Sequence, residues 1–114
     1  MAKTLKITPT AFSILFALSL KPRHGYEIIK QVYEDTQGRI QLGPGALYGT
    51  IKQLREADLI EELAIESDME RRRYYGLTSI GKKRLGLEIE FLNNTLELAR
   101  KRSLLPGNSS QGII

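Results

Sequence analysis

The chain has 114 residues, enough for one domain with a modest core of its own. It contains no cysteine, which excludes disulfides, thiol catalysis and cysteine-ligated metals, and its one histidine cannot build a histidine-rich metal site. Its 41% hydrophobic and 26% charged residues are ordinary for a globular protein, and a formal charge of +4 tilts the choice of partner toward polyanions.

The opening MAKTLKITPT lacks the apolar core of a signal peptide, and the longest apolar run, residues 14–20, is too short to cross a bilayer. A soluble, cytoplasmic protein without a membrane partner is expected. After a basic lead-in over residues 1–7, Thr8 suits a helix N-cap and Pro9 the first helical position. Phe12, Leu15, Phe16 and Ser19 share one side of this first helix, with Ile14 and Leu18 on another. A helix apolar round so much of its girth is buried on several sides. It should end near Lys21-Pro22, since the residue before proline avoids the helical region. His24-Gly25 punctuates, and a second helix runs from Tyr26 to about Thr36, burying Ile28 and Val32 with Ile29 and Tyr33 beside them. His24 is expected to make a local turn hydrogen bond, and Tyr26 and Glu27 to cap and pack that helix.

The stretch GPGALYGTIKQLREADLI, residues 43–60, predicts a third helix that starts at Pro44. Leu47, Ile51 and Leu54 form its apolar stripe. Gly45, Gly49, Lys52, Gln53 and Glu56 project to the opposite side, with Tyr48 and Arg55 on the flanks. Taken alone this is equally an ordinary amphipathic surface helix. Asp58 and then Leu59-Ile60 read as a helix stop and a strand start. EELAIES follows as a strand with Leu63 and Ile65 on one face, ESDMER as a turn, and RRRYYGLT as the returning strand. Thr78 can cap a last helix over residues 79–102, and the uncharged, Pro-, Gly- and Ser-containing tail from Leu105 reads as disordered.

The order helix, helix, helix, hairpin, long helix gives a mostly α fold with a small β-hairpin. It is a winged helix-turn-helix over residues 1–78, with a C-terminal helix over 79–104 and a tail over 105–114. In such a fold the third helix fits the major groove, about 12 Å wide, while the hairpin reaches the neighbouring backbone.

Three segments then carry a resemblance: ILFALSLKPRHGYEIIKQV, ALYGTIKQLREADLIE and RRRYYGLTSIGKKRL. In order and spacing, over residues 10–85, they resemble the PadR-like family of winged-helix transcriptional regulators. The single long final helix is similar to that of the family's shorter branch, whose members dimerise through it. The resemblance implies a dimeric repressor that releases DNA when a small ligand or another signal arrives. Three departures stand out: Asp58 where the family often has glycine, Gly49 where many members carry proline, and no tryptophan at the dimer centre to stack flat aromatic drugs.

The expected DNA contacts are Gly45, Tyr48, Gly49, Lys52, Gln53, Arg71, Arg72 and Arg73. Residues 66–84 hold six basic against three acidic side chains, and guanidinium groups match phosphate geometry. Alternation sends Arg72 and Tyr74 to one face of the strand and Arg73 and Tyr75 to the other. Tyr48 can reach a phosphate or close the edge of the core. Gly45 and Gly49 each cost about 1 kcal/mol against alanine in a helix, which close approach of another surface would offset. Leu85, Ile89, Leu92, Leu96 and Ala99 step by 4, 3, 4, 3, the spacing of a helix packed along a partner. Leu87, Phe91 and Leu98 add a second strip; one strip should face the chain's own domain and the other a second subunit. No catalytic, cofactor or metal constellation is present in the pattern, so an enzyme is not expected. The expected partners are a roughly palindromic double-stranded operator, a second copy of the chain and a small-molecule effector. The rival reading is a winged helix that binds protein instead of DNA.

Overall fold

The structure, a computed structural model, describes residues 5–64 and 72–106. Helix α1 (Pro9–Ala17) begins where Thr8 Oγ1 accepts the Ala11 N–H at 3.1 Å. It is capped by Leu18 and so ends earlier than Lys21-Pro22. The buried Arg23 donates from Nε to the Ala17 carbonyl at 2.8 Å, setting a cation against the negative end of the helix dipole. Arg23 and His24 form a short strand, β1 (Arg23–His24), directly before α2 (Gly25–Asp35). Then come α3 (Pro44–Glu56), β2 (Ile60–Leu63), β3 (Tyr74–Leu77) and α4 (Ser79–Lys101).

The sheet therefore has three antiparallel strands in the order β1-β3-β2, not the two of a hairpin. Arg23 pairs with Tyr75 and His24 with Tyr74, while Glu62 lies opposite Tyr75 on the other side. His24 is accordingly more than a turn residue. It caps α2 through Nδ1, which accepts the Glu27 N–H at 3.3 Å, and its own N–H donates to Glu27 Oε1 at 3.3 Å. Glu27 completes this capping box as expected of a cap. Tyr26 does not pack on α2's inner side; it is 73% exposed, and Tyr33 is also turned outward.

The core brings Leu15 of α1, Ile28 and Val32 of α2, and Leu47 and Leu54 of α3 against Tyr75 of the sheet. Leu85 belongs to it as well, at 4% exposure, which removes it from the surface that a second subunit could touch. From there α4 leaves the body of the domain. Ile89, Leu92 and Leu96 are exposed, Ala99 is half-buried, and Leu87, Phe91 and Leu98 are exposed too. Beyond Leu85 neither strip is covered by the chain's own helices, contrary to the expected division. Length explains this. At about 1.5 Å per residue the 23 residues of α4 span about 34 Å, against about 13 Å for the 9 residues of α1.

Helices α2, α3 and α4 each end on a left-handed residue that is not glycine: Gln37, Asp58 and Ser103, at φ 55°, 64° and 56°. In each case the next amide closes back on the last turn, as Leu59 N–H does on the Leu54 carbonyl at 2.9 Å. Asp58 thus adopts the geometry that glycine favours. The expected Arg71, Ile65, turn residues 66–70 and tail residues 107–114 lie outside the described residues, as do residues 1–4. Among the described residues no helix is long and apolar enough to cross a membrane.

The start of α4 is seated on the end of α3. Thr78 Oγ1 accepts the Gly81 N–H at 2.9 Å and donates to the Asp58 carbonyl at 2.6 Å. Gly81 lies against the Leu59 carbonyl so closely that a Cβ would overlap it. Gly81→Ala is therefore expected to destabilise the fold by about 2–3 kcal/mol, the upper range for overpacking, read as a lowered midpoint in urea unfolding.

Candidate nucleic-acid interface

The outward side of α3 is smooth at its beginning and polar beyond. Its first turn is open, with Gly43 as a cap that offers no side chain. A Cβ at Gly45 or Gly49 would meet nothing within 4 Å, so no internal packing requires these glycines. Lys52 and Gln53 follow on the exposed surface. The stripe Leu47, Ile51 and Leu54 is buried beneath, which fixes the rotation of the helix and therefore which side faces out. Tyr48 stands on the flank, 51% exposed, with its hydroxyl against Gly25 at the start of α2. Any side chain at position 25 would collide with it.

Grooves run along both sides of Tyr48. One is lined by His24, Gly25, Tyr26, Arg72 and Arg73. The other is lined by Lys52, Arg55, Glu56, Arg73 and Tyr75. Arg73 lines both grooves, and Arg72 lines the first. Arg72 Nη1 lies 2.8 Å from His24 Nε2, and the His24 ring sits edge-on to Tyr74 at 5.3 Å between centroids. A neutral imidazole offers one acceptor nitrogen, so His24 serves either the Glu27 N–H or the Arg72 guanidinium at a given moment. Arg73 Nε lies 3.8 Å from Glu62 Oε2, and Glu62 Oε1 lies 3.3 Å from Arg55 Nη1. The two grooves bring Tyr48, Lys52, Arg72 and Arg73 together, Gly45, Gly49 and Gln53 are exposed along α3, and Arg71 lies outside the described residues. Among the described residues no group of three or more His, Asp or Glu side chains is placed to hold a metal ion.

Residues 14–87 match the model of the transcriptional regulator PadR-like family. The chain belongs to the PadR-like family. Members of this family regulate transcription and are not enzymes, and this chain is a transcriptional regulator. An uncharacterised protein X of Lysinibacillus sphaericus is 36% identical over 72 residues, a stretch that is 61% of this chain and 66% of that one. A PadR family transcription regulator from Clostridium difficile R20291 superposes with a TM-score of 0.67 at 30% identity, over 79% of this chain and 95% of that one. PadR of Bacillus subtilis, in a crystal structure with operator DNA, shares the fold at a TM-score of 0.59 and 23% identity, over 68% of this chain and 45% of that one.

The marks of the PadR-like family in this sequence have physical roles in the structure. HGYEI carries the capping box of α2 together with the glycine that admits Tyr48. LTSIG carries the Thr78 cap and the Gly81 contact that join α4 to α3. Sequence reasoning left Arg55 on a helix flank and gave Glu62 no role. The signal for Glu62 was its place one residue from Leu63 on the opposite face of β2, but its pairing with Arg73 depends on a cross-strand register that spacing does not give. Tyr75 lies beside this pair. Burial pushes its phenol above the ordinary value of 10.0, the carboxylate of Glu62 and nearby Tyr48 add to the effect, and Arg73 opposes it. The raised value means the folded state holds the phenolic proton more tightly than the unfolded chain. The contribution is complete below about pH 10 and is lost as pH rises through the folded-state value. Thermal melts across this alkaline range should show a fall in midpoint that is shallower in Tyr75→Phe.

Proposed function

We propose that this PadR-like protein is a sequence-specific DNA-binding repressor that acts as a dimer and is released by a small-molecule or other signal. The observation that carries the reading is the outward side of α3. A backbone bared at Gly45 and Gly49 leads to Lys52 and Gln53 and is flanked by Tyr48 and the wing arginines. Such a side lets a helix enter the major groove closely and read base edges with its polar residues. Arg72 and Arg73 at the root of the wing supply phosphate contacts. The crystal structure of Bacillus subtilis PadR with operator DNA supports the reading by likeness of fold.

The dimer rests on α4. Leu87, Ile89, Phe91, Leu92 and Leu96 stay exposed along it, an apolar surface that a second α4 would cover. A two-fold axis there presents two recognition helices about 34 Å apart and calls for a roughly palindromic operator. An effector that changes the packing of the two helices would change that spacing.

Binding to a duplex should weaken steeply with salt. For six to eight neutralised phosphates, log K against log salt is expected to fall with a slope of about −5 to −7. A slope near zero would turn the reading toward a protein partner. Lys52→Ala and Gln53→Ala should alter the ranking of operators, since a side chain bonded to a base edge discriminates by about 1–3 kcal/mol, while Arg72→Ala weakens all sequences alike. Sedimentation of the wild type at micromolar concentration should show a dimer, and Leu92→Glu, which places a charge in the contact, should shift it to monomer. A wild-type monomer that binds a palindrome tightly would remove the role given to α4.

A further inference from the structure

A charge cluster that joins Arg73 to two residues not assigned to DNA lies between α3 and the root of the wing. Glu62 stands on β2 opposite Tyr75. One of its oxygens is 3.3 Å from Arg55 on α3 and the other is 3.8 Å from Arg73, just before β3. A single anion thus bridges two guanidiniums from separate elements, one oxygen to each, as a phosphate can. Lys52 and Glu56 line the same groove beside Tyr48 and Tyr75, so three cations there face two carboxylates. None of the three paired side chains is buried; Arg73 is 72% exposed, Arg55 47% and Glu62 34%. Ion pairs this open to water add little stability and yield readily to a stronger anion.

We propose that Arg55 and Arg73 form a seat for one backbone phosphate of duplex DNA, and that Glu62 is the internal counter-anion that fills the seat in the free protein. The inference rests on the DNA-binding reading above and adds Arg55 and Glu62 to it. A helix in the major groove with a wing on the adjoining backbone sets the space between them along a phosphate line. The two guanidiniums converge on that space from α3 and from the wing. When the phosphate enters, Glu62 is displaced to solvent. Because the competition lowers affinity for every duplex equally, it leaves the choice between sequences to the base-edge contacts of α3.

The test uses the full chain and a labelled mixed-sequence duplex, with anisotropy read at several salt concentrations. Glu62→Gln keeps the shape of the side chain and removes its charge. It should bind about three- to tenfold more tightly at fixed salt, with the slope of log K against log salt steeper by about 1. Arg55→Gln should bind about three- to tenfold more weakly, and Glu62→Gln should gain less in that background than alone. Glu97→Gln, whose carboxylate pairs with Arg100 near the far end of α4, should bind as the wild type does. Unchanged or weaker binding by Glu62→Gln, in a wild type that binds duplex with the expected salt dependence, overturns the proposal. So does an equal gain from Glu97→Gln, which would reduce the effect to net charge. A wild type that shows no salt-dependent duplex binding overturns the DNA reading itself, a result distinct from either of these.

Discussion

The joint between the end of α3 and the start of α4 governs the geometry of everything that faces outward. At its centre are two backbone carbonyls, those of Asp58 and Leu59. Thr78 donates its hydroxyl to the first and its N–H to the second, and Gly81 rests on the second. The Leu59 N–H meanwhile closes the last turn of α3. One short segment therefore ends α3, begins β2 and seats α4. Rotation of any one of these elements drags the other two, because hydrogen bonds in a close-packed joint permit few arrangements. The left-handed Asp58 is tolerated on the same account: the geometry is imposed from both sides.

The wing arginines are prepared in two different ways. The His24 imidazole lies against Arg72, whereas the Glu62 carboxylate orients Arg73 and offsets its charge. Arg72 and Arg73 are consecutive just before β3 and meet different neighbours. Ordering a long side chain before it meets a partner lowers the entropy lost on binding. Offsetting its charge works against long-range attraction to a polyanion. Glu62 therefore both positions Arg73 and restrains it.

The parts of the fold written in local chemistry were legible in the sequence. Thr8-Pro9, Gly43-Pro44 and Thr78 mark helix starts through caps that act within three residues. Leu47, Ile51 and Leu54 fix the inward side of α3, and so its outward side, by spacing alone. What was not legible depends on partners distant in the chain. The two residues of β1 are too few to show alternation, and they are strand only because β3 accepts them. The burial of Leu85 and the exposure of Ile89, one helical turn on, look alike as heptad positions. They differ because α1 is too short to follow α4. The Arg55–Glu62–Arg73 cluster joins three elements, and nothing in the spacing of its members along the chain announces it.

These constraints together give α4 the character of a lever. Gly81 and Leu85 hold its first turns against the domain, and from Gly86 onward its apolar residues are uncovered. A partner helix on the uncovered part, as proposed above, would act on the long arm. Through the Thr78 joint the short arm carries the end of α3. For an arm of about 24 Å, a tilt of a few degrees moves the far end by only an ångström or two. In the two-fold assembly proposed above, however, the same tilt would turn both copies of α3 in opposite senses relative to one duplex. Register with successive major grooves tolerates little of that. The dimeric repressor proposed above would therefore need no large conformational change to let go of an operator; a repacking of side chains along the uncovered strips of α4 would suffice.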